Sequence, residues 1–526
     1  MIFRILIDGD WREAAGTRET FKAVNPATLE PLPGEYPVSG RSDIEAALEA
    51  ALPAVDRLRT AGPDTVAAFL EAFAAAAEAR RDDLFETARL ETALPVEPRL
   101  RSVEFPRLAD QVRQAAEACR DRSWCRAVID SARNIRSRLG PLGGPVVVFS
   151  PNNFPFAFNA VGGGDWATAL AAGNPVISKA NPAHPGTTRI LAEAARDAAH
   201  RTGLPRGAVQ LLYHFEPGDG LGLVAHPAVG ASAFTGSRPA GLRLKEAADR
   251  AGKPIYLEMA SVNPVFLLPE GLKERPSGIA AELFASCLLG AGQFCTKPGL
   301  VVLIESASGR EFLAAVKAAF EKAEPGYLLT PGILDGLEAA SRRLRDFKAE
   351  LLTGGRRLPG PGLRFTPTLF RVSGSAFLMN PAAFQAESFG SLSLVVAARD
   401  PLEMLDIAAM LEGQLTATVY SHSAGEDDRL YDSLEPILRR KAGRLLNDRM
   451  PTGVTVSPAM NHGGPFPAAG HPGFTSVGIP AAMPRFAALQ CYDNVRPGRL
   501  PAELRDRNPT GKMWRFIDGA WTQRSL

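Results

Sequence analysis

A cysteine sits in "GAGQFCTKPG", residues 290–299, between an apolar run of helical texture and a strand-like run. Cys295 is flanked there by Gly, Thr and Pro, which set turns rather than fill a core. That setting suits a thiol that must be reached, whereas Cys287 in "FASCLLG" has the neighbours of an inert buried cysteine. A free thiol is mostly protonated near neutral pH, so a nucleophile needs help from its site. Glu258 closes the run "PIYLE" and precedes "MASVNP". A carboxylate at a strand's end can be a general base, a helix cap or an ion-pair partner. A thiol and a carboxylate of this kind can run acyl chemistry: the thiolate attacks a carbonyl, and the carboxylate activates the water that releases the acid.

Three other stretches follow strand-like runs: "SPNNFPF", "SKANPAHPGT" and "AFTGSRPAG". The last holds GxxxxG from Gly236 to Gly241 at the opening of a helix. Glycines there let a backbone approach a pyrophosphate, and helix amides favour the anion, although a plain tight turn uses the same residues. It is neither GxGxxG nor a P-loop, since no Lys-Ser/Thr pair follows Gly241.

The elements that must hold these residues alternate. In the helical first third, Val66, Phe69, Leu70, Phe73 and Ala77 fall on one face, with Asp64 as the expected N-cap. After "GPLGG" (140–144), apolar runs of five to seven residues alternate with helices, which predicts a parallel sheet covered on both faces. A second α/β stretch follows, with a helix over 278–291, a strand in "GLVVLIES" and a helix over 310–323. Residues 463–498 are rich in Gly and Pro, and "RFAALQCYDNV" reads as a strand leaving the core. Ligands of open parallel sheets sit at the carboxyl ends of strands, where these stretches lie.

The 526 residues are 45% hydrophobic and 22% charged with net charge +2, so charge alone implies neither a nucleic-acid nor a membrane partner. "MIFRILIDGDW" is broken by Arg4 and Asp8 and reads as no secretory leader, and no run approaches the ~20 apolar residues of a membrane span. Five scattered cysteines form no disulfide framework. The seven histidines show no metal-ligand spacing, so no metal is expected. The expectation is a cytoplasmic enzyme with reduced thiols.

"SPNNFPF", "ALAAGNPVISKANPAHPGT", "FTGS", "LEMASVNP", "GQFCTKPG" and "ESFGS" occur in the order and spacing of the aldehyde dehydrogenase superfamily, which the chain resembles from about residue 5 to beyond 490. The resemblance implies a Rossmann-like cofactor-binding domain (1–130 and 145–257), a catalytic domain (258–455), a protruding oligomerisation arm (131–144 and 484–498), and a pocket-lining and C-terminal segment (456–483 and 499–526). Cys295 then matches the nucleophile, Glu258 the base that activates the deacylating water, and Asn153 an oxyanion-hole donor. Losing one such donor costs roughly 10²–10³ in rate. Lys179 matches the residue on the adenosine ribose, Gly236 and Ser237 lie at the pyrophosphate, and Glu387 and Phe389 orient the nicotinamide ribose and ring. The implied reaction adds the thiol to an aldehyde, passes hydride to a nicotinamide and hydrolyses the thioester.

Two positions depart from the common pattern. Pro182 stands where many NAD-preferring members carry Glu, so no carboxylate repels a 2′-phosphate, and NADP is expected over NAD, or both. Lys179 and His184 could face that phosphate, though His184 reads equally as a surface cap residue. Ser391 of "ESFGS" replaces the usual Pro, which loosens a turn. "KANPAHPGT", "EMASVNP" and the tail from "PTGVTV" to "WRFIDG" (451–519) are similar to α-ketoglutaric semialdehyde (2,5-dioxovalerate) dehydrogenases and to NADP-dependent long-chain aldehyde dehydrogenases. An Arg or Lys for the substrate carboxylate is expected but not identified. His462 of "MNHGGPF" could polarise substrate, assist proton transfer or be a satisfied loop histidine. The expected substrate is 2,5-dioxopentanoate, with aliphatic aldehydes as alternative. A cofactor-independent cysteine hydrolase leaves "FTGS" and "ESFGS" unexplained. A homodimer or dimer of dimers is expected.

Overall fold

Val146–Phe149, Val176–Lys179, Val209–Leu212, Ala231–Thr235 and Ile255–Glu258 pair in parallel in a computed structural model of the chain, which describes residues 1–15 and 19–526. Two antiparallel strands near the amino terminus, Ile5–Ile7 and Asp10–Arg12, extend this sheet to seven strands. Val146–Phe149 and Val209–Leu212 are buried along their whole length, because helices cover both faces, as the unalternating runs predict, with Gln210 the one polar side chain among them. In the helix Pro63–Ala79, Val66, Phe69, Leu70, Phe73 and Ala77 are all buried. Its N-cap is Gly62 rather than Asp64. Pro63 takes the first helical position, where its missing N–H costs nothing, and Asp64 lies in the first turn, 3.0 Å from the Arg122 guanidinium.

A second seven-stranded sheet runs in the order Glu350–Thr353, Thr368–Ser373, Leu392–Ala398, Leu300–Ile304, Val265–Leu267, Gln414–Tyr420 and Ala442–Asn447, parallel except for its first pair. Successive residues of Leu300–Ile304 enter different clusters: Leu300 and Val302 on one face, Val301 and Leu303 on the other. The helix expected over 278–291 spans Pro276–Leu288. Gly290 and Ala291 turn left-handed, with φ of 57° and 56°, and end the helical path before the cysteine loop.

The third sheet has five strands: Ala487–Asp493, Ile135–Pro141, Val128–Asp130, Arg515–Ile517 and Ala520–Thr522. It reaches beyond the expected arm of 131–144 and 484–498, taking in Val128–Asp130 and the last hairpin. Those strands are three residues each, too short for alternation to reveal.

Between Asn447 and Met483 the chain forms no helix or strand among the described residues. It is nonetheless pinned. The Met259 N–H donates to the Ala468 carbonyl at 2.8 Å, and the Gly470 N–H to the Leu257 carbonyl at 2.9 Å. Residues 468–470 thereby line the outer edge of Ile255–Glu258. No helix among the described residues is long and apolar enough to cross a membrane.

Candidate active site

Parallel register brings the strand ends into one row. Phe149 is opposite both Lys179 and Phe234, and Thr235 is opposite Glu258. The loop carrying Asn153 leaves the first of these strands, and Gly236 and Ser237 leave the fourth, so all five candidate residues lie along one crevice.

Cys295 and His462 join Glu258 at the end of that row. The Cys295 Sγ lies 3.4 Å from His462 Nε2, which is 2.8 Å from Glu258 Oε1. The Ser476 hydroxyl lies 3.1 Å from Glu258 Oε2 and 2.9 Å from the His462 carbonyl. The sulfur, imidazole nitrogen and carboxylate oxygen all fall within 4.8 Å of one another. His462 is only 2% exposed and touches both of the other groups, so it is no bystander in a loop.

Both contacts of the imidazole fall on one nitrogen. An acid–His–thiol relay needs the carboxylate on one ring nitrogen and the thiol on the other. Here Nε2 faces both carboxylate and sulfur, so the ring does not stand between them, and the carboxylate is the group able to accept the thiol proton.

The charges follow from that packing. Burial acts to raise the Glu258 pKa. The His462 charge, with hydrogen bonds from His462, Cys295 and Ser476, outweighs it and holds the carboxyl below its ordinary range. Burial pushes the Cys295 thiol well up, the Glu258 anion adds to that rise, and the Arg107 charge opposes it. The resting pair is a carboxylate beside a protonated thiol.

The loop around the cysteine is fixed from below. The Asn263 Nδ2 donates to the carbonyls of Cys295 at 2.8 Å and Lys297 at 3.0 Å. The Asn153 Nδ2 donates to the Gln293 carbonyl at 2.9 Å, and its second N–H remains for another acceptor. Gly292 has φ of 72°, and a Cβ there would stand 2.4 Å from the Gly390 carbonyl. Only glycine lets the cysteine loop lie this close to "ESFGS". Lys297 is buried beneath that second loop, where it donates to the Ser388 carbonyl at 3.1 Å and to the Leu392 carbonyl. Sequence reasoning passed over Asn263, Lys297 and Ser476. The first two stand inside quoted motifs, but nothing local marks Ser476.

Along the crevice, the Lys179 ammonium makes no hydrogen bond or ion pair among the described residues and lies 6.0 Å from the Phe215 ring centre. Burial lowers its pKa to about 8. Ser237 caps the helix Arg238–Arg250 without a side-chain hydrogen bond, so its first amides stay open to an anion. Glu387 is pushed up to about 7 by burial, against the Ser261 N–H and the Lys297 charge. Phe389 is half-buried beside it in the same loop. An unpaired ammonium, an uncapped helix start and a buried carboxyl without a bonded cation fit a ribose–pyrophosphate–ribose ligand.

His184 does not join this cradle. It is fully buried, with Nε2 2.9 Å from the Pro151 carbonyl and Nδ1 3.5 Å from Asn159, and burial lowers its pKa to about 4. A neutral ring spent on a backbone carbonyl cannot meet a 2′-phosphate, nor is it a surface cap. The helix beginning at Pro185 is closed to anions as well, because buried Glu91 accepts from the N–H groups of Gly186 and Thr187 at 2.6 and 2.9 Å. Ser391 loosens little: its carbonyl accepts from the Thr368 N–H at 2.8 Å.

Three arginines border the chamber. Arg99 donates to Glu104 and, at 2.8 Å, to the Asn153 carbonyl. The Arg444 guanidinium donates to the carbonyls of Pro451 at 2.8 Å and Gly453 at 3.2 Å. Arg107 has no hydrogen-bond or ion-pair partner among the described residues, and its Nε and Nη2 are buried.

Comparison with known proteins agrees with this geometry. Residues 11–443 match the sequence profile of the aldehyde dehydrogenase family. The chain is 42% identical to alpha-ketoglutaric semialdehyde dehydrogenase 2 of Azospirillum brasilense, over 94% of this chain and 95% of that one. It is 34% identical to the alpha-ketoglutaric semialdehyde dehydrogenase of Acinetobacter baylyi, over 97% and 98%. In fold it is similar to a 1-pyrroline-5-carboxylate dehydrogenase from Thermus with bound NAD, with TM-score 0.80 and 24% identity over 93% of this chain and 92% of that one.

Proposed function

Because the chain belongs to the aldehyde dehydrogenase family, we propose that it oxidises 2,5-dioxopentanoate to 2-oxoglutarate through a thioester on Cys295. The observation that carries the chemistry is the Cys295 sulfur held 3.4 Å from an imidazole nitrogen that itself lies 2.8 Å from the Glu258 carboxylate. The names of the two curated relatives support the substrate class.

Glu258 takes the thiol proton as Cys295 adds to the aldehyde carbon. The free Asn153 N–H and the Cys295 backbone N–H face the oxyanion that forms. Lys179, Ser237 and Glu387 would hold a nicotinamide dinucleotide, which would supply the acceptor for the hydride. Glu258 passes the thiol proton on to solvent, then takes a proton from water as it attacks the thioester and returns it to the departing sulfur, so the acid leaves, ionising in solvent, and the thiol is restored. His462 and Ser476 are positioning residues: between them they fix both carboxylate oxygens, so Glu258 can serve thiol and water in turn.

NADP, or both cofactors, remains the expected choice, on Pro182 and the unpaired Lys179 ammonium rather than on His184. The check is kcat/KM for NADP and NAD, each with 2,5-dioxopentanoate and with hexanal. The expected result is preference for the keto-acid aldehyde and use of NADP at least equal to NAD. A preference for hexanal would favour the aliphatic alternative, which the aromatic lining of Phe154, Phe158 and Phe294 otherwise suits. A hydrolase reading is disfavoured by the single-nitrogen geometry of His462.

We place the enzyme in the cytoplasm on the strength of its five unpaired cysteines, Cys491 among them exposed. It is proposed to work as a homodimer or dimer of dimers. Ala487–Asp493 and Ala442–Asn447 are open sheet edges, and Leu489 and Trp521 on the third sheet, with Trp514 just before its strand Arg515–Ile517, are exposed. Light scattering at micromolar concentration should return a multiple of the 56.1 kDa chain, and a monomer would refute the assembly.

A further inference from the structure

We infer that Arg107 is the anchor for the carboxylate at the far end of the substrate. The residue lies in the first turn of the helix Phe105–Asp121, and its guanidinium carbon stands 4.8 Å from the Phe158 ring centre and 5.8 Å from that of Phe154. Both phenylalanines belong to the loop that carries Asn153, and the Phe158 ring lies 5.9 Å from the His462 ring. The cation therefore faces the same aromatic chamber as the reacting sulfur, one ring away from the Glu258–His462 pair.

Guanidinium donors withdrawn from water are normally satisfied, since an unpaired buried donor is costly. Arg107, half-buried as a residue, is an exception. Its nearest carboxylate is already consumed: Glu104 accepts from Arg99 and from the N–H groups of Phe156 at 2.7 Å and Ala157 at 2.9 Å. The Arg107 Nε and Nη2 are left buried with no acceptor. Its charge is felt at Cys295 and Glu258, and its own pKa is lowered by burial. Arg99 and Arg444, by contrast, spend their charge on Glu104 and on backbone carbonyls.

The missing partner is a planar anion entering with the substrate. A carboxylate accepts side-on from a guanidinium fork, and stacking on two rings holds that fork in one plane. The ligand class is an aldehyde bearing a carboxylate at its other end, with apolar chain between for the phenylalanines to cover. An unpaired cation at this depth also disfavours an alkyl tail, because nothing would neutralise it.

Arg107's role rests on the substrate class proposed above, and the two can fail separately. The decisive quantity is the ratio of kcat/KM for 5-oxopentanoate to that for pentanal, which differ only in the carboxylate. The natural enzyme should favour 5-oxopentanoate. In Arg107→Met that ratio should fall about 100-fold, with the loss mainly in KM, and Arg107→Lys should recover part of it. Glutarate should inhibit the natural enzyme competitively and Arg107→Met weakly. An unchanged ratio in folded Arg107→Met would overturn the anchor while leaving the substrate class standing. If the variants do not fold, equal turnover of the two aldehydes by the natural enzyme, with no inhibition by glutarate, would overturn it. A natural enzyme that favours 5-oxopentanoate over 2,5-dioxopentanoate would revise the substrate and leave Arg107 in place.

Discussion

Cys295→Ala is expected to lower aldehyde oxidation roughly 10⁴-fold or more while the protein stays folded, because no other group on the crevice can form the covalent intermediate. Cys287 cannot substitute: its sulfur is buried against the Pro298 carbonyl at 3.5 Å and the Ser393 hydroxyl at 3.3 Å. The substitution removes one sulfur atom that lies 3.4 Å from His462 Nε2, so little packing is lost with it. Cofactor binding, read as a rise in melting temperature on adding NADP, should survive. Steady-state oxidation within tenfold of the natural enzyme would remove Cys295 from the mechanism.

Glu258→Gln strikes the two half-reactions unequally: the thiol can still ionise to solvent without the carboxylate, whereas the hydrolytic water loses its base. The amide can still hydrogen-bond to His462 and Ser476, but it cannot accept a proton from water. Thioester hydrolysis should slow about 10²–10⁴-fold. Stopped-flow absorbance should then show a burst of reduced cofactor followed by a stall, with the acyl adduct on Cys295 visible by mass spectrometry. Burst-free turnover at the natural rate would show that the carboxylate is not the hydrolytic base.

The same variant has a signed effect on the thiol. Cys295 is raised by burial first and by the neighbouring anion second. Removing the anion lowers the thiol pKa, so alkylation of Cys295 by iodoacetamide should reach its half-maximal rate at lower pH in Glu258→Gln than in the natural protein. An identical profile would mean that the carboxylate does not lie beside the sulfur in solution.

The arrangement of the site explains why some of it could be read in advance. Lys179, Gly236, Ser237 and Glu258 lie at or just beyond strand ends, and strand ends are marked by where apolar runs stop and Gly, Asn or Pro begin. Cys295 was marked by its turn-forming neighbours. His184 had the right position but the wrong orientation: the chain folds its ring inward onto the Pro151 carbonyl, and nothing in "KANPAHPGT" distinguishes inward from outward. Arg107 was invisible for the opposite reason. It sits on an amphipathic helix among other charged residues, and what singles it out is that Arg99 has already taken Glu104.

The order of residues alone determined the alternation of strands and helices, the row of strand ends and the identity of the thiol, because periodicity and turn chemistry act over a few residues at a time. Tertiary structure decided which polar groups are spent and which are free. The irregular segment near residues 462–476 meets Glu258 only because residues 468–470 bond along the edge of Ile255–Glu258. The open charge on Arg107 exists only once Glu104 is bonded elsewhere. Pairing of this kind joins side chains far apart in the chain, and only the packing of the finished core determines which of them meet.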